Sequence, residues 1–340
     1  MYNFFDPTRV LFGAGQLGHL HEQTMPGKKA MVVISNGKST RENGALDRTM
    51  NELHQAGVET VLFDKVGANP LKSVVEEGGR FARDNGCDFV VALGGGSVMD
   101  AAKIMAMYAL QPGDLWDYVA GATGKMKPLV NPTLPIIAIT TTAGTGSEVD
   151  QWGVVTNPET NEKIGCGGMD SLFPVIAVVD PELMATVPPK FTAYQGFDAL
   201  FHSTEGYMSG VTSLMGDMVQ LAAIENIGKY LPHGAGLIMI SKEYYTHFIN
   251  KHCCDERFIR MAQALGKTDA KDPMDFVTAL VELQEACGVA DLKMSDYGIQ
   301  KEECMTLAKN ARATMGGLFM ADPVQMTDEE CAAIYEKSYR

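Results

Sequence analysis

The run Phe89-Val90-Val91-Ala92-Leu93, closed at once by Gly94-Gly95-Gly96, constrains this chain more than any other stretch. A strand with no polar side cannot lie half in water, so these residues predict a strand buried on both faces, as in a parallel sheet covered by helices. Lys29–Ile34 and Thr60–Phe63 read the same way, with helical periods between them through Leu46–Ala56 and on to Asn85. Further strands are expected at Pro135–Thr140 and Val175–Val179. From Pro181 onward a period near 3.6 takes over, after Pro188-Pro189 closes the last loop. The expected organisation is an α/β nucleotide-binding domain over residues 1–185, with a Rossmann-like parallel sheet, followed by an all-α domain over 186–340.

The net charge of −14 over 340 residues argues against nucleic acid or an anionic membrane surface as partner, because either requires a basic face. A small molecule fits better. Seven cysteines without C-x-x-C spacing, in a chain too large to need disulfide staples, point to a reducing cytoplasm. The first residues show no basic stretch followed by a long apolar run, so neither export nor membrane insertion is expected.

Two glycine clusters compete as phosphate cradle. Gly13-Ala14-Gly15-Gln16-Leu17-Gly18 matches G-x-G-x-x-G, yet the strand after it ends in Ser35-Asn36-Gly37-Lys38 with no acid for the ribose hydroxyls, so it reads as a turn. Gly94-Gly95-Gly96-Ser97 stands where a buried strand meets a helix. Amides without a Cβ in the way can close there on a pyrophosphate, and the helix N-terminus adds favourable partial charge. Thr140-Thr141-Thr142-Ala143-Gly144-Thr145 ends another strand and brings hydroxyls and amides to the same sheet edge.

In the second half, Asp198 and His202 stand four residues apart in the apolar helical run Gly196–His202. At about 100° per residue they share one face. Such a pair is half of a metal site, half of an acid/base pair, or a solvated ion pair. His19, His21 and His54 belong to the α/β half, and His247 and His252 diverge by about 140° on a helix.

In sequence order these pieces resemble the iron-containing (group III) alcohol dehydrogenases, in particular their butanol dehydrogenase-like members. The resemblance rests on Phe12–Gly15, Asn69-Pro70, GGGSVMDAAK at 94–103, TTAGTGSE at 141–148, Val179–Pro181, GFDALFH at 196–202 and Pro232-His233-Gly234. It implies a metal-dependent oxidoreductase that interconverts primary alcohols and aldehydes by hydride transfer with NADP or NAD. Gly95, Gly96, Ser97 and Asp100 would serve the pyrophosphate and nearby cofactor, Thr141, Thr142 and Thr145 further nucleotide contacts, and Asn69 and Lys163 the adenosine side. Gly37 and Ser39, in a turn without a carboxylate to repel a 2′-phosphate, lean the expectation to NADP(H).

The same resemblance assigns Asp198, His202 and His233 to a divalent ion, Fe2+ or alternatively Zn2+, through which they act in catalysis. Family members carry one more histidine before Pro-His-Gly. Here Leu231-Pro232 runs straight into His233, which implies either a true internal deletion at Pro232/His233 or a stretch of the molecule that this sequence leaves out. Three other expectations stay open: a zinc polyol dehydrogenase, a lyase-type relative, and a catalytically impaired nucleotide-binding member. Family members are often dimers, so a homodimer is implied as well.

Overall fold

The computed structural model describes residues 4–230 and 238–340. They form two compact units, one of residues 5–142 and 146–186, the other holding Phe4, residues 143–145 and the described residues from 187 on.

The first unit is built on a sheet of six parallel strands: β1 (Arg9–Phe12), β2 (Lys29–Ser35), β3 (Glu59–Val66), β4 (Phe89–Gly94), β5 (Ile136–Thr140) and β8 (Ile176–Val179), in the spatial order β1-β8-β5-β4-β2-β3. The apolar strands have the predicted two-sided burial. In β4, Val90 and Ala92 enter the core under α3 (Lys72–Asp84) and α4 (Gly96–Tyr108), while Phe89, Val91 and Leu93 enter the opposite core, under α2 (Ala45–Gln55). Each fully buried side chain of this size contributes about 1.5–3 kcal/mol. A short α1 (Ser39–Glu42) follows β2. The antiparallel hairpin of β6 (Trp152–Asn157) and β7 (Glu162–Gly167) was not anticipated. Its turn signal, Asn157-Pro158, stands in a stretch where alternation of apolar and polar residues is short.

The second unit is helical: α5 (Pro189–Met208), α6 (Leu214–Tyr230), α7 (Ile238–Asn250), α8 (Asp255–Ala264), α9 (Met274–Ala286), α10 (Cys304–Phe319) and α11 (Asp328–Ser338). Pro189 starts α5 at a position where its missing N–H costs nothing. Along α5, Phe197, Leu200, Phe201 and Thr204 turn inward, and the Thr204 hydroxyl meets the Tyr245 hydroxyl at 2.6 Å. Tyr245, Phe258 and Phe276 complete an aromatic core, with Tyr245 edge-on to Phe276 at 5.0 Å. Burial of that face leaves Asp198, His202, Glu205 and Ser209, at i, i+4, i+7 and i+11, on another. Among the described residues no helix is long and apolar enough to cross a membrane.

Candidate active site

Strand β4 ends at Gly94, and Gly95 alone separates it from α4, whose first turn holds Gly96 and Ser97. Gly95 is extended (φ −84°, ψ −173°), so its lack of a side chain answers to space rather than strain. A Cβ built there would stand 2.8 Å from Thr142 Cγ2 and 3.2 Å from Thr142 Oγ1. The hydroxyl of Thr142 is buried and has no hydrogen-bond partner among the described residues. Next to it, the Thr141 amide donates to the Gly94 carbonyl at 3.0 Å, which ties the ends of β4 and β5 together. A glycine turn at a helix N-terminus, beside an orphaned hydroxyl at the carboxyl ends of adjacent parallel strands, fits the pyrophosphate of a dinucleotide.

Other residues assigned to the cofactor take varied places. Gly37 lies in the turn after β2, the neighbour of β4 in the sheet, and Ser39 opens α1. Asn69 and Lys163 meet directly, Lys163 Nζ donating to Asn69 Oδ1 at 2.8 Å. Asp100 is engaged within the protein: one carboxylate oxygen accepts from the Ser147 hydroxyl at 2.8 Å, the other from the Val154 amide at 3.0 Å. Burial pushes its carboxyl up, against those two bonds.

The same motif holds a residue that sequence reasoning passed over. Lys103, fully buried, donates to Ser147 Oγ at 2.9 Å, Asp150 Oδ1 at 2.7 Å and the Trp152 carbonyl at 2.8 Å. Burial lowers its ammonium, and Asp150 works against that shift. The second halves of the two glycine motifs are thus bound to each other, Asp100 and Lys103 from one, Ser147 from the other. The sequential spacing of an Asp and a Lys three residues apart on a helix was the available signal.

The earlier G-x-G-x-x-G stretch is a turn for a definite reason. Its free amides already have an anion: Gly15 and Leu17 donate to the two oxygens of Asp180, each at 3.1 Å, and Asp180 is fully buried.

On α5, Asp198 Oδ1 and His202 Nε2 lie 3.7 Å apart. Burial raises the Asp198 carboxyl, and the imidazole beside it works the other way. Residues 143–145, which include Thr145, lie against this turn. The Ala143 amide donates to Gln195 Oε1 at 2.9 Å, and a Cβ at Gly144 would stand 2.9 Å from the Gln195 carbonyl and 3.2 Å from Asp198 Oδ2. Only glycine lets the backbone come this close. A carboxylate and an imidazole on one face suit Fe2+ or Zn2+ as two donors of a larger set. Among the described residues no cluster of three or more metal donors forms, and His233 and Pro232, with the deletion expected between them, lie outside the described residues. His19, His21 and His252 pair instead with Glu22, Glu52 and Asp255.

The family model described as iron-containing alcohol dehydrogenase matches residues 7–181, and that of the Fe-containing alcohol dehydrogenase family C-terminal domain matches residues 229–339. A choline dehydrogenase of Bacillus subtilis (strain 168) is 40% identical over 236 residues, 68% of this chain and 56% of the relative. A 1,3-propanediol dehydrogenase of Klebsiella pneumoniae is 36% identical over 239 residues, 70% of this chain and 60% of the relative. The chain thus spans less than two thirds of the length of either. Among solved structures, an archaeal halo-thermophilic alcohol dehydrogenase from a Red Sea brine pool, ADH/D1, superposes with a TM-score of 0.91 at 30% identity, over 99% of each chain. Both halves of this chain match the same family, and the chain belongs to the iron-containing alcohol dehydrogenases.

Proposed function

We propose that this protein interconverts primary alcohols and aldehydes with NADP(H), using a divalent ion, Fe2+ in preference to Zn2+, held by Asp198, His202 and His233. The observation that carries the reading is the Asp198–His202 pair, 3.7 Å apart on one face of α5, with the Gly144 backbone against Asp198. When bound, the nicotinamide supplies or accepts the hydride and the divalent ion polarises the substrate oxygen.

The chain's own residues prepare both events. The Gly95 turn leaves room for phosphate, and the Thr142 hydroxyl, without a partner among the described residues, is available to donate to it. Asp100 and Lys103 hold the 147–152 segment in place through Ser147 and Asp150. After β2, the turn Asn36-Gly37-Lys38-Ser39 has no carboxylate, which favours a 2′-phosphate over a bare ribose. Seven free thiols agree with a reducing cytoplasm. The relatives named for propanediol and choline make short alcohols with a second polar end worth assaying.

The test is Asp198→Ala. Metal analysis of the purified variant should show loss of iron, and absorbance at 340 nm with butanal and NADPH should show loss of turnover, while NADPH binding persists. Iron content and turnover equal to the parent's refute the assignment. A kcat/KM for NADH above that for NADPH refutes the cofactor preference alone.

A further inference from the structure

The turn between α7 and α8 carries two adjacent thiols, Cys253 and Cys254, that the candidate reaction does not use. Their sulfurs lie 3.8 Å apart, both side chains half-buried against the aromatic core. Cys253 Sγ also reaches the Phe248 carbonyl at 3.4 Å, and Cys254 stands directly before the first turn of α8. His252, just ahead of the pair, has φ 51°, in the left-handed region. A non-glycine residue holds that conformation only where its surroundings over-determine it, which happens most at binding sites. Just after the pair, Asp255 Oδ1 is buried with no hydrogen-bond partner among the described residues, while Oδ2 meets His252 Nδ1 at 2.9 Å.

Closure to a disulfide is the first alternative, and the backbone opposes it. Neighbouring Cα atoms across a trans peptide are about 3.8 Å apart, short of the roughly 4.4–6.8 Å that disulfides span. The pair is held open as a dithiol. The separation of its sulfurs matches a different chemistry. Two thiolates bound to one ion at about 2.3 Å stand about 3.8 Å apart at a tetrahedral angle and about 4 Å apart at a trigonal one. Cys253 and Cys254 thus already form one edge of a coordination shell. A closed zinc site needs two further protein donors, and among the described residues no cluster of three or more donors forms. Soft sulfur ligands select monovalent copper, which is content with two or three neighbours. Burial and the adjacent thiol push Cys254 up to about 12, with Arg257 pulling the other way. Only an ion whose bond to sulfur outcompetes the proton can enter, which again favours a soft one.

We propose that Cys253 and Cys254 form a binding site for a soft monovalent cation, with Cu+ as its type, held by two thiolate bonds and completed by a small ligand from solution. On binding, each thiol gives its proton to solvent and forms one sulfur–copper bond, and no electron changes hands. The ion would brace the turn that starts α8, so copper should stabilise the fold. The site uses none of the residues assigned to the dehydrogenase and does not depend on that reading.

Anaerobic titration of the full chain with Cu+, buffered by the chelator bicinchoninate, tests this. Affinity should fall at least a hundredfold in Cys253→Ser and in Cys254→Ser, while Cys87→Ser, which alters a buried thiol of the α/β unit, should bind as the parent does. Circular dichroism melting confirms that the variants fold, and Cu+ should raise the midpoint of the parent but of neither Cys253→Ser nor Cys254→Ser. X-ray absorption at the copper edge of the loaded parent needs no variant and should show sulfur neighbours. That separates the site from copper at Asp198 and His202, which offer only oxygen and nitrogen. Absence of Cu+ binding, equal binding in the parent and both of these variants, or bound copper without sulfur neighbours overturns the proposal.

Discussion

Replacing Lys103 by methionine tests how far a buried cation organises the nucleotide side of the molecule. The stem is matched in length and apolar character, so the change removes an ammonium and its three hydrogen bonds with little loss of packing. Those bonds are charge-assisted, while the ammonium's own burial costs several kcal/mol that methionine avoids. What remains is decided by the acceptors left behind. Ser147 keeps its bond to Asp100, and Asp150 Oδ1 keeps one from the Trp152 amide at 2.7 Å. Only the Trp152 carbonyl loses its side-chain donor outright, and an orphaned acceptor costs about 1–3 kcal/mol. The expected loss is about 2 kcal/mol.

The chain's own fluorophores suit this measurement. Its two tryptophans, Trp116 and Trp152, both belong to the α/β unit, so urea unfolding followed by their emission reports that unit alone. With a slope of about 2 kcal/mol per molar, the midpoint should fall by about 1 M. Asp150→Asn should cost less than half as much, because the Asp150 side chain is 40% exposed and water replaces the lost partner. A Lys103→Met midpoint within about 0.2 M of the parent's would refute the account, as would a larger effect in Asp150→Asn.

Gly95→Val places a branched side chain where even a Cβ would stand 2.8 Å from Thr142; NADPH affinity by fluorescence titration should fall at least tenfold, with melting within a few degrees of the parent, and unchanged affinity would remove Gly95 from the cradle. Asp322, whose carboxyl is pushed up by burial to about 6, above the ordinary carboxylate value near 3.9, binds a proton in the fold at pH values where the unfolded chain has released it. Its contribution therefore favours the fold most below about pH 4 and is lost as pH rises through 6. Followed by circular dichroism, which reads the helical unit that holds Asp322, the urea midpoint of the parent should gain on that of Asp322→Asn as pH drops from 7 to 4.5, and parallel curves would contradict it.

Much of the architecture could be read before any coordinates, because apolar runs such as Val90–Leu93 obey a local rule about water. The helical texture after Pro189 is equally local. The Asp198–His202 pair followed from helical period alone, although what it does rests on family membership rather than on periodicity. What escaped were relations across long sequence separations. Nothing near Asp180 announces that its carboxylate will cap amides 165 and 163 residues away, and Lys103 meets its partners only because α4 and the 147–152 segment share one corner of the unit. Asp322 and Glu205 line one cavity of the helical unit from separate elements, so it has no linear signature. The hairpin of β6 and β7 was illegible for another reason: its inward positions include Gly153 and Asn157 on β6 and Glu162 on β7, small or polar residues where a two-residue apolar period would be sought.

Residues 143–145 belong with the helices, while Thr142 and Gly146 belong with the sheet. Dissection of the protein must reckon with that. A fragment cut after residue 186 would carry the Ala143 amide away from Gln195 and leave Gly144 with no helix to lie on. The complementary fragment would begin at Val187 and lose the Gly144 backbone that lies against Asp198. Neither half of a linear cut reproduces its unit intact, so covalent order and three-dimensional grouping disagree at residues 143–145, the turn that lies against the candidate metal pair on α5.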